Sequence, residues 1–150
     1  MSPDDRGAVV SDILRNVRPL VLNSARVVEH MLRAAGITVG MRAVLEVLFD
    51  DGPAPVPALA DRLDLARQGI QRHVNDLLAL GCVESRENPA HRRSVLIALT
   101  PAGTATFERI RAAELRDLDR LAPDCTADEL ITARKVLNAL NRDIRRKAQP

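Results

Sequence analysis

Within six positions, Arg67, Gln68, Gln71 and Arg72 bring together the two residue types best suited to reading a DNA duplex. In the major groove Arg forms bidentate hydrogen bonds to guanine and Gln to adenine, each pair contributing about 1–3 kcal/mol of discrimination against a wrong base. Ile70, Val74, Leu77 and Leu78 recur around them at helical spacing, so the four polar side chains project from the outward side of one amphipathic helix. Arg and Gln also populate ordinary solvated helix faces, and the cluster alone leaves both readings open. A second charged group, His91, Arg92 and Arg93, lies in the polar run from Glu87 to Arg93. The alternation on either side of that run predicts a β-hairpin, with these residues at its tip.

Other chemistries find little support. His30, His73 and His91 occur without an HExxH pattern and without Cys at ligand spacing, so they read as surface or partly buried histidines; neither a metal nor a cofactor is expected. Cys82 and Cys125 stand 43 positions apart with no CxxC, which predicts two reduced, mostly buried thiols. Cys125 directly precedes a helix cap, a setting that can lower a thiol pKa. No Ser/His/Asp order, glycine-rich phosphate loop or paired-carboxylate site is recognisable, so the chain does not read as an enzyme.

These side chains must be positioned by a chain of 150 residues that is 46% hydrophobic and 28% charged, enough for one ordered domain with long helical extensions. Trp and Tyr are absent and Phe49 and Phe107 are the only aromatic residues, which leaves an aliphatic core. It also removes the stacking platforms on which RNA and single-strand binders hold bases. The net charge is only +2, from 22 basic and 20 acidic residues, so any nucleic-acid surface must arise by local clustering. Lys135 and Lys147 are the only lysines. The remaining cations are arginines, whose forks suit phosphates and base edges, although a GC-rich coding bias leaves the same mark. Asp4, Asp5, Arg6, Asp12, Arg15 and Arg18 interrupt the first thirty residues, so neither a signal peptide nor a membrane span is read there, and a cytoplasmic protein is expected.

The hydrophobic pattern supplies the positioning elements. Ile13, Val17, Leu20, Ser24, Val27 and Met31 predict a helix from about Ala8 to Ala34, stopped by Gly36. Thr38 caps a second helix carrying Met41, Val44, Leu45 and Leu48, which the Asp50–Pro53 run ends. Pro57 fits the first turn of a short helix with Leu59, Ala60 and Leu63 on one side. Asp64 then falls in the turn before the Arg/Gln-bearing helix, which ends at Gly81. Strands follow at Cys82–Arg86 and around Val95, Ile97 and Leu99. Thr100–Pro101 launches a helix with Phe107, Ile110, Leu118 and Leu121 on one face, ending near Pro123. Thr126 and Glu129 form a capping box before a last helix striped by Leu130, Ala133, Leu137, Leu140 and Ile144. The fold class is mainly α with a small β-hairpin: a winged helix-turn-helix between long terminal helices. The basic run Arg142, Arg145, Arg146 and Lys147 complements the dipole at the end of the last helix.

From Thr38 to Gly103 the chain resembles the MarR family of bacterial transcription regulators. The likeness rests on LADRLDLARQGIQRHVNDLLALGCVE, Leu59 to Glu84, and on HRRSVLIALTPAG, His91 to Gly103, where the family's LTxxG is matched by Leu99, Thr100 and Gly103. It covers the central half closely and the outer helices by pattern. The resemblance implies one domain over residues 1–150, with dimerisation helices at 8–34 and 101–147 and the winged helix-turn-helix at 38–100. It implies a homodimeric, sequence-specific regulator of double-stranded DNA, usually a repressor, with no membrane association. Arg67, Gln68, Gln71 and Arg72 would contact bases and phosphates, and the wing, His91, Arg92 and Arg93, would send one arginine into the minor groove. A small apolar or phenolic effector would bind near His30, Met31, Met41, Arg42 and Phe49. Ile13, Val17, Leu20, Leu137, Leu140 and Ile144 would form the dimer interface. Two departures stand out: His91 replaces the acid that usually precedes the paired arginines, and Ala66 and Gly69 stand where Ser or Thr is common. Gly69 lowers helix propensity by about 1 kcal/mol relative to Ala. The first-helix cysteine of peroxide-sensing relatives is missing. The alternative reading is a winged-helix protein-interaction module that does not bind DNA.

Overall fold

Three helices of the chain start at a capping threonine. In the computed structural model, which describes residues 3–149, the order is α1 (Pro3–Arg33), α2 (Val39–Asp51), α3 (Val56–Leu63), α4 (Arg67–Ala79), β1 (Val83–Glu87), β2 (Val95–Leu99), α5 (Pro101–Leu118) and α6 (Ala127–Ala148). Thr38 is extended and its hydroxyl accepts the Met41 amide at 3.2 Å, which satisfies one of the free donors of the first turn of α2. Thr100 does the same for α5 through the Gly103 amide at 3.0 Å. Thr126 and Glu129 cap α6 reciprocally, and these hydrogen bonds hold the Glu129 carboxyl below its ordinary pKa. α1 begins earlier than the apolar stripe indicates, with Pro3 at its first position, and continues through Pro19, which has no amide to offer the Arg15 carbonyl.

The chain divides into two compact units, one through Arg111 and one from Ala112 onward. In the first, α2, α3 and α4 close around Val44, Leu45, Leu59, Ile70, Val74 and Leu77, with Leu32 of α1, Ile97 of β2 and Phe107 of α5 completing the core. It is aliphatic apart from Phe107. Asp64 takes the left-handed conformation (φ 53°, ψ 46°), and the Leu65 amide returns to the Ala60 carbonyl at 3.0 Å. That turn reverses the chain between α3 and α4. β1 and β2 pair antiparallel from Val83 opposite Leu99 to Glu87 opposite Val95, and Ala54 bridges to Ile97 on the other side of β2. In the second unit, no described residue of α6 is buried.

The structure differs from the sequence reading at several points. β1 starts at Val83 rather than Cys82, because the Cys82 amide turns back to the Leu77 carbonyl at the end of α4 (3.0 Å) and only its carbonyl reaches Thr100 across the hairpin. Leu78 is exposed and lies outside the stripe of Ile70, Val74 and Leu77. α5 stops at Leu118, short of Pro123, in successive turns that end with Ala122 at φ 51°. Leu118 and Leu121 are exposed, since Phe107 and Ile110 belong to the core of the first unit and the later part of α5 does not. Cys82 is buried as expected, but Cys125 is exposed, because the whole turn between α5 and α6 faces solvent.

Gly103 shows how tightly α5 joins the hairpin. A β-carbon there would sit 1.8 Å from the Cys82 carbonyl oxygen, a backbone atom with no rotamer through which to escape. Gly103→Ala is therefore expected to destabilise the fold by about 3 kcal/mol, the upper part of the overpacking range. Urea denaturation measures this; a midpoint within error of the parent would contradict the close approach.

Candidate nucleic-acid interface

α4 buries one side and presents the other. Ile70, Val74 and Leu77 are wholly buried, while Arg67, Gln68, Gln71 and Arg72 are all exposed. Arg67, Gln68 and Arg72 have no hydrogen-bond or ion-pair partner among the described residues, so their donors are available to a ligand. Gln71 is different: its side-chain amide donates to Asn75 Oδ1 at 2.9 Å, one helical turn on. Asn75 was not among the expected site residues, although the Gln–Asn spacing of four signals it. Ala66 precedes the helix in extended conformation and gives it no side-chain cap, which leaves the first-turn amides of α4 without the usual hydroxyl.

The hairpin tip is built from two successive turns. The His91 amide donates to the Asn88 carbonyl at 3.1 Å, and the Ser94 amide donates to the His91 carbonyl at 3.1 Å. Arg92 and Arg93 are therefore the two central residues of a closed turn, and both are exposed. Asn88 ties the tip together: its Oδ1 accepts the Ala90 amide at 3.1 Å and its Nδ2 donates to Ser94 Oγ at 3.4 Å. In this chain hydrogen bonds to an asparagine hold the loop that carries the arginines, with His91 in place of an acid. Asn88 lies in the polar run from Glu87 to Arg93, where composition alone does not single it out. Arg86, further back on β1, is already engaged by Glu84 at 2.7 and 2.9 Å. Glu87, Asn88, Arg92, Ser94 and Val95 line an open groove along this tip.

The five residues expected around an effector differ in burial and in contacts. Met41 is 3% exposed and belongs to the core. Arg42 and Phe49 do meet, over Phe107: the Arg42 guanidinium lies 5.8 Å from the Phe107 ring centroid and Phe49 packs on the same ring at 5.0 Å. Arg42 also donates to Glu46 at 2.8 Å. Met31 is half-buried and His30 exposed. Of the expected interface residues, Ile13 and Val17 on α1 and Leu137 and Leu140 on α6 are half-buried, whereas Leu20 and Ile144 are exposed by 63% and 45%. On α6, Asp143 accepts from Arg142 at 3.0 Å and from Arg146, which lowers its pKa and occupies two of the four cations at that end. Among the described residues no group of three or more His, Cys, Asp or Glu is placed to hold a metal, and no helix is long and apolar enough to cross a membrane.

Loosening of the wing tip is open to measurement. Asn88→Ala is expected to speed amide hydrogen exchange at Ala90 severalfold while leaving Ile70, Val74 and Leu77 as protected as before. Unchanged exchange at Ala90 would remove Asn88 from its role as the tie.

A family model described as MarR family matches residues 35–94, a segment that contains all seven candidate DNA-contact residues. Over nearly its full length the chain is similar to the crystal structure of a MarR family transcription regulator, with a TM-score of 0.88 and 34% identity across 97% of this chain and 96% of that one. The crystal structure of a MarR mutant from E. coli complexed with operator DNA superposes with a TM-score of 0.74 at 25% identity, over 87% of this chain and 94% of that one. Among curated proteins, an uncharacterised protein of Mycobacterium tuberculosis is 40% identical over 75 residues, 50% of this chain and 52% of that protein. The chain thus spans about half the length of the curated relatives it matches.

Proposed function

The chain belongs to the MarR family of transcription regulators, and from that premise we propose that it binds double-stranded DNA sequence-specifically, as a homodimeric repressor. The observation that carries this reading is the division of α4, where three wholly buried aliphatic residues back a set of exposed Arg and Gln side chains. A helix fixed on one side and free on the other can enter the major groove without rearranging the core. The turn that presents Arg92 and Arg93 supplies cations on a short rigid loop, suited to phosphates and to a narrow minor groove. The operator-bound E. coli relative supports the same use of the fold. Such a protein works in the cytoplasm, beside the chromosome. A small apolar or phenolic ligand that released DNA would act through α2, where Arg42 and Phe49 meet over Phe107.

Retention of genomic duplex fragments by the purified protein, followed by sequencing and a salt titration, tests the reading. Recovery of a shared motif is expected, with affinity falling by a log–log slope of about −0.9 for each phosphate neutralised. Salt-insensitive retention, or none, would favour a protein-interaction module. The two sets of side chains should separate in the same assay. Gln71→Ala and Arg72→Ala should change which sequences are preferred, at about 1–3 kcal/mol per lost base contact. Arg92→Ala and Arg93→Ala should weaken all duplexes together and flatten the salt slope. Equal losses on every duplex from all four would refute the division.

For the dimer, the supporting observation is aliphatic surface without cover: Leu20, Val21 and Val27 on α1, and Leu130, Ile131 and Ile144 on α6. A symmetric dimer would place two recognition helices about 34–36 Å apart, one turn of duplex. Leu140→Glu should convert a dimer mass to a monomer or unfolded species by light scattering. A dimer of unchanged mass would exclude Leu140 from the seam.

A further inference from the structure

Gly40 and His73 are 33 positions apart in sequence and in direct contact in the structure. A β-carbon placed on Gly40 would lie 2.1, 2.4 and 2.7 Å from Nε2, Cε1 and Cδ2 of His73, so the imidazole lies directly over the first turn of α2. Gly40 is helical and has no positive φ, and its backbone geometry therefore does not call for glycine. The ring, where it stands, is what a side chain at this position would have to displace. Gly69, at the front of α4, has nothing within 4 Å of its would-be β-carbon, so this contact is not a general feature of the helical glycines here.

We propose that His73, seated on Gly40, is a positioning residue that sets the roll of α4 and so determines which bases its outward side chains reach. The inference rests on the DNA-binding reading above. Ile70, Val74 and Leu77 form a narrow stripe, within about 60° when 3.6 residues make a turn, and such a stripe fixes the depth of a helix better than its rotation. His73 lies about 60° to one side of Ile70 on the same count. It is half-buried and immediately follows Arg72. Among the described residues its side chain makes no hydrogen bond, so it acts through shape. Side-chain ends lie about 6 Å or more from a helix axis, so roughly ten degrees of roll carries them about 1 Å. That exceeds the spread of about 0.5 Å over which a hydrogen bond keeps good geometry.

The test compares His73→Ala, Gly40→Ala and the double variant with the parent. Each protein selects from a random-sequence duplex library, and its affinity for the parent's preferred duplex is measured against a scrambled one at a single salt concentration. Thermal melting is followed in parallel. Each single variant is expected to lose tenfold or more of the preferred-to-scrambled ratio while holding the scrambled duplex as well as the parent does. The double variant should lose no more than His73→Ala alone, because both changes break the same contact. If Gly40→Ala does not fold, His73→Ala decides by the same ratio. Unchanged ratios, or losses that multiply in the double variant, overturn the proposal. So does a fall in melting temperature with both duplexes weakened alike, the mark of a purely structural contact. A parent that selects no preferred duplex overturns the DNA-binding reading and the seat with it, whereas normal parent selection with unaltered variants overturns the seat alone.

Discussion

Ile70, Val74 and Leu77 are wholly buried, and what this protein presents to a partner follows from that anchorage. Three aliphatic side chains at helical spacing against α2 and α3 give α4 an inside and therefore an outside. Arg67, Gln68, Gln71 and Arg72 lie on that outside, exposed to solvent. Leu59 and Ala60 make the inside deep enough, and the left-handed Asp64 turns α3 into α4 so that both helices share one core. The hairpin is joined to the same core through Cys82 and Val83, with the Cys82 amide bonded to the Leu77 carbonyl at 3.0 Å. α4 and the hairpin are thus extensions of one packed body, so the side chains they carry are held in place before any partner arrives.

Features that depend on neighbouring residues could be read from the sequence. The capping threonines, the Pro57 helix start, the alternation of β2 and the apolar stripe of α4 are local patterns, and each marks an element that the structure contains. The Arg and Gln positions followed from the stripe, since knowing which residues are inside fixes which are outside. Long-range contacts were not legible. Leu99-Thr100-x-x-Gly103 was visible as a motif, but the need for glycine comes from Cys82, 21 positions earlier, and no periodicity reports that approach. His73 looked like one of three unremarkable histidines because its partner is a glycine on another helix.

Exposure does not follow from spacing where the chain offers apolar residues without a core to receive them. Leu118 and Leu121 continue the spacing of Phe107 and Ile110, yet helical periodicity says only that residues share a face, not that the face is covered. Met41 shows the reverse: placed near an effector only by its position in the family pattern, it is 3% exposed and part of the core. The two phenylalanines also cluster, so the aromatic surface of the chain is confined to one spot beside Arg42.

The uneven burial of the two thiols has a practical side. Cys82 is enclosed and Cys125 stands in solvent at the turn before α6, so a maleimide or methanethiosulfonate reagent under mild conditions will modify one position and spare the other. The native chain therefore accepts a fluorophore or nitroxide at one defined point without mutagenesis. In an assembly of two copies that point occurs twice, and a dipolar spectrum of the nitroxide-labelled protein reads the separation directly.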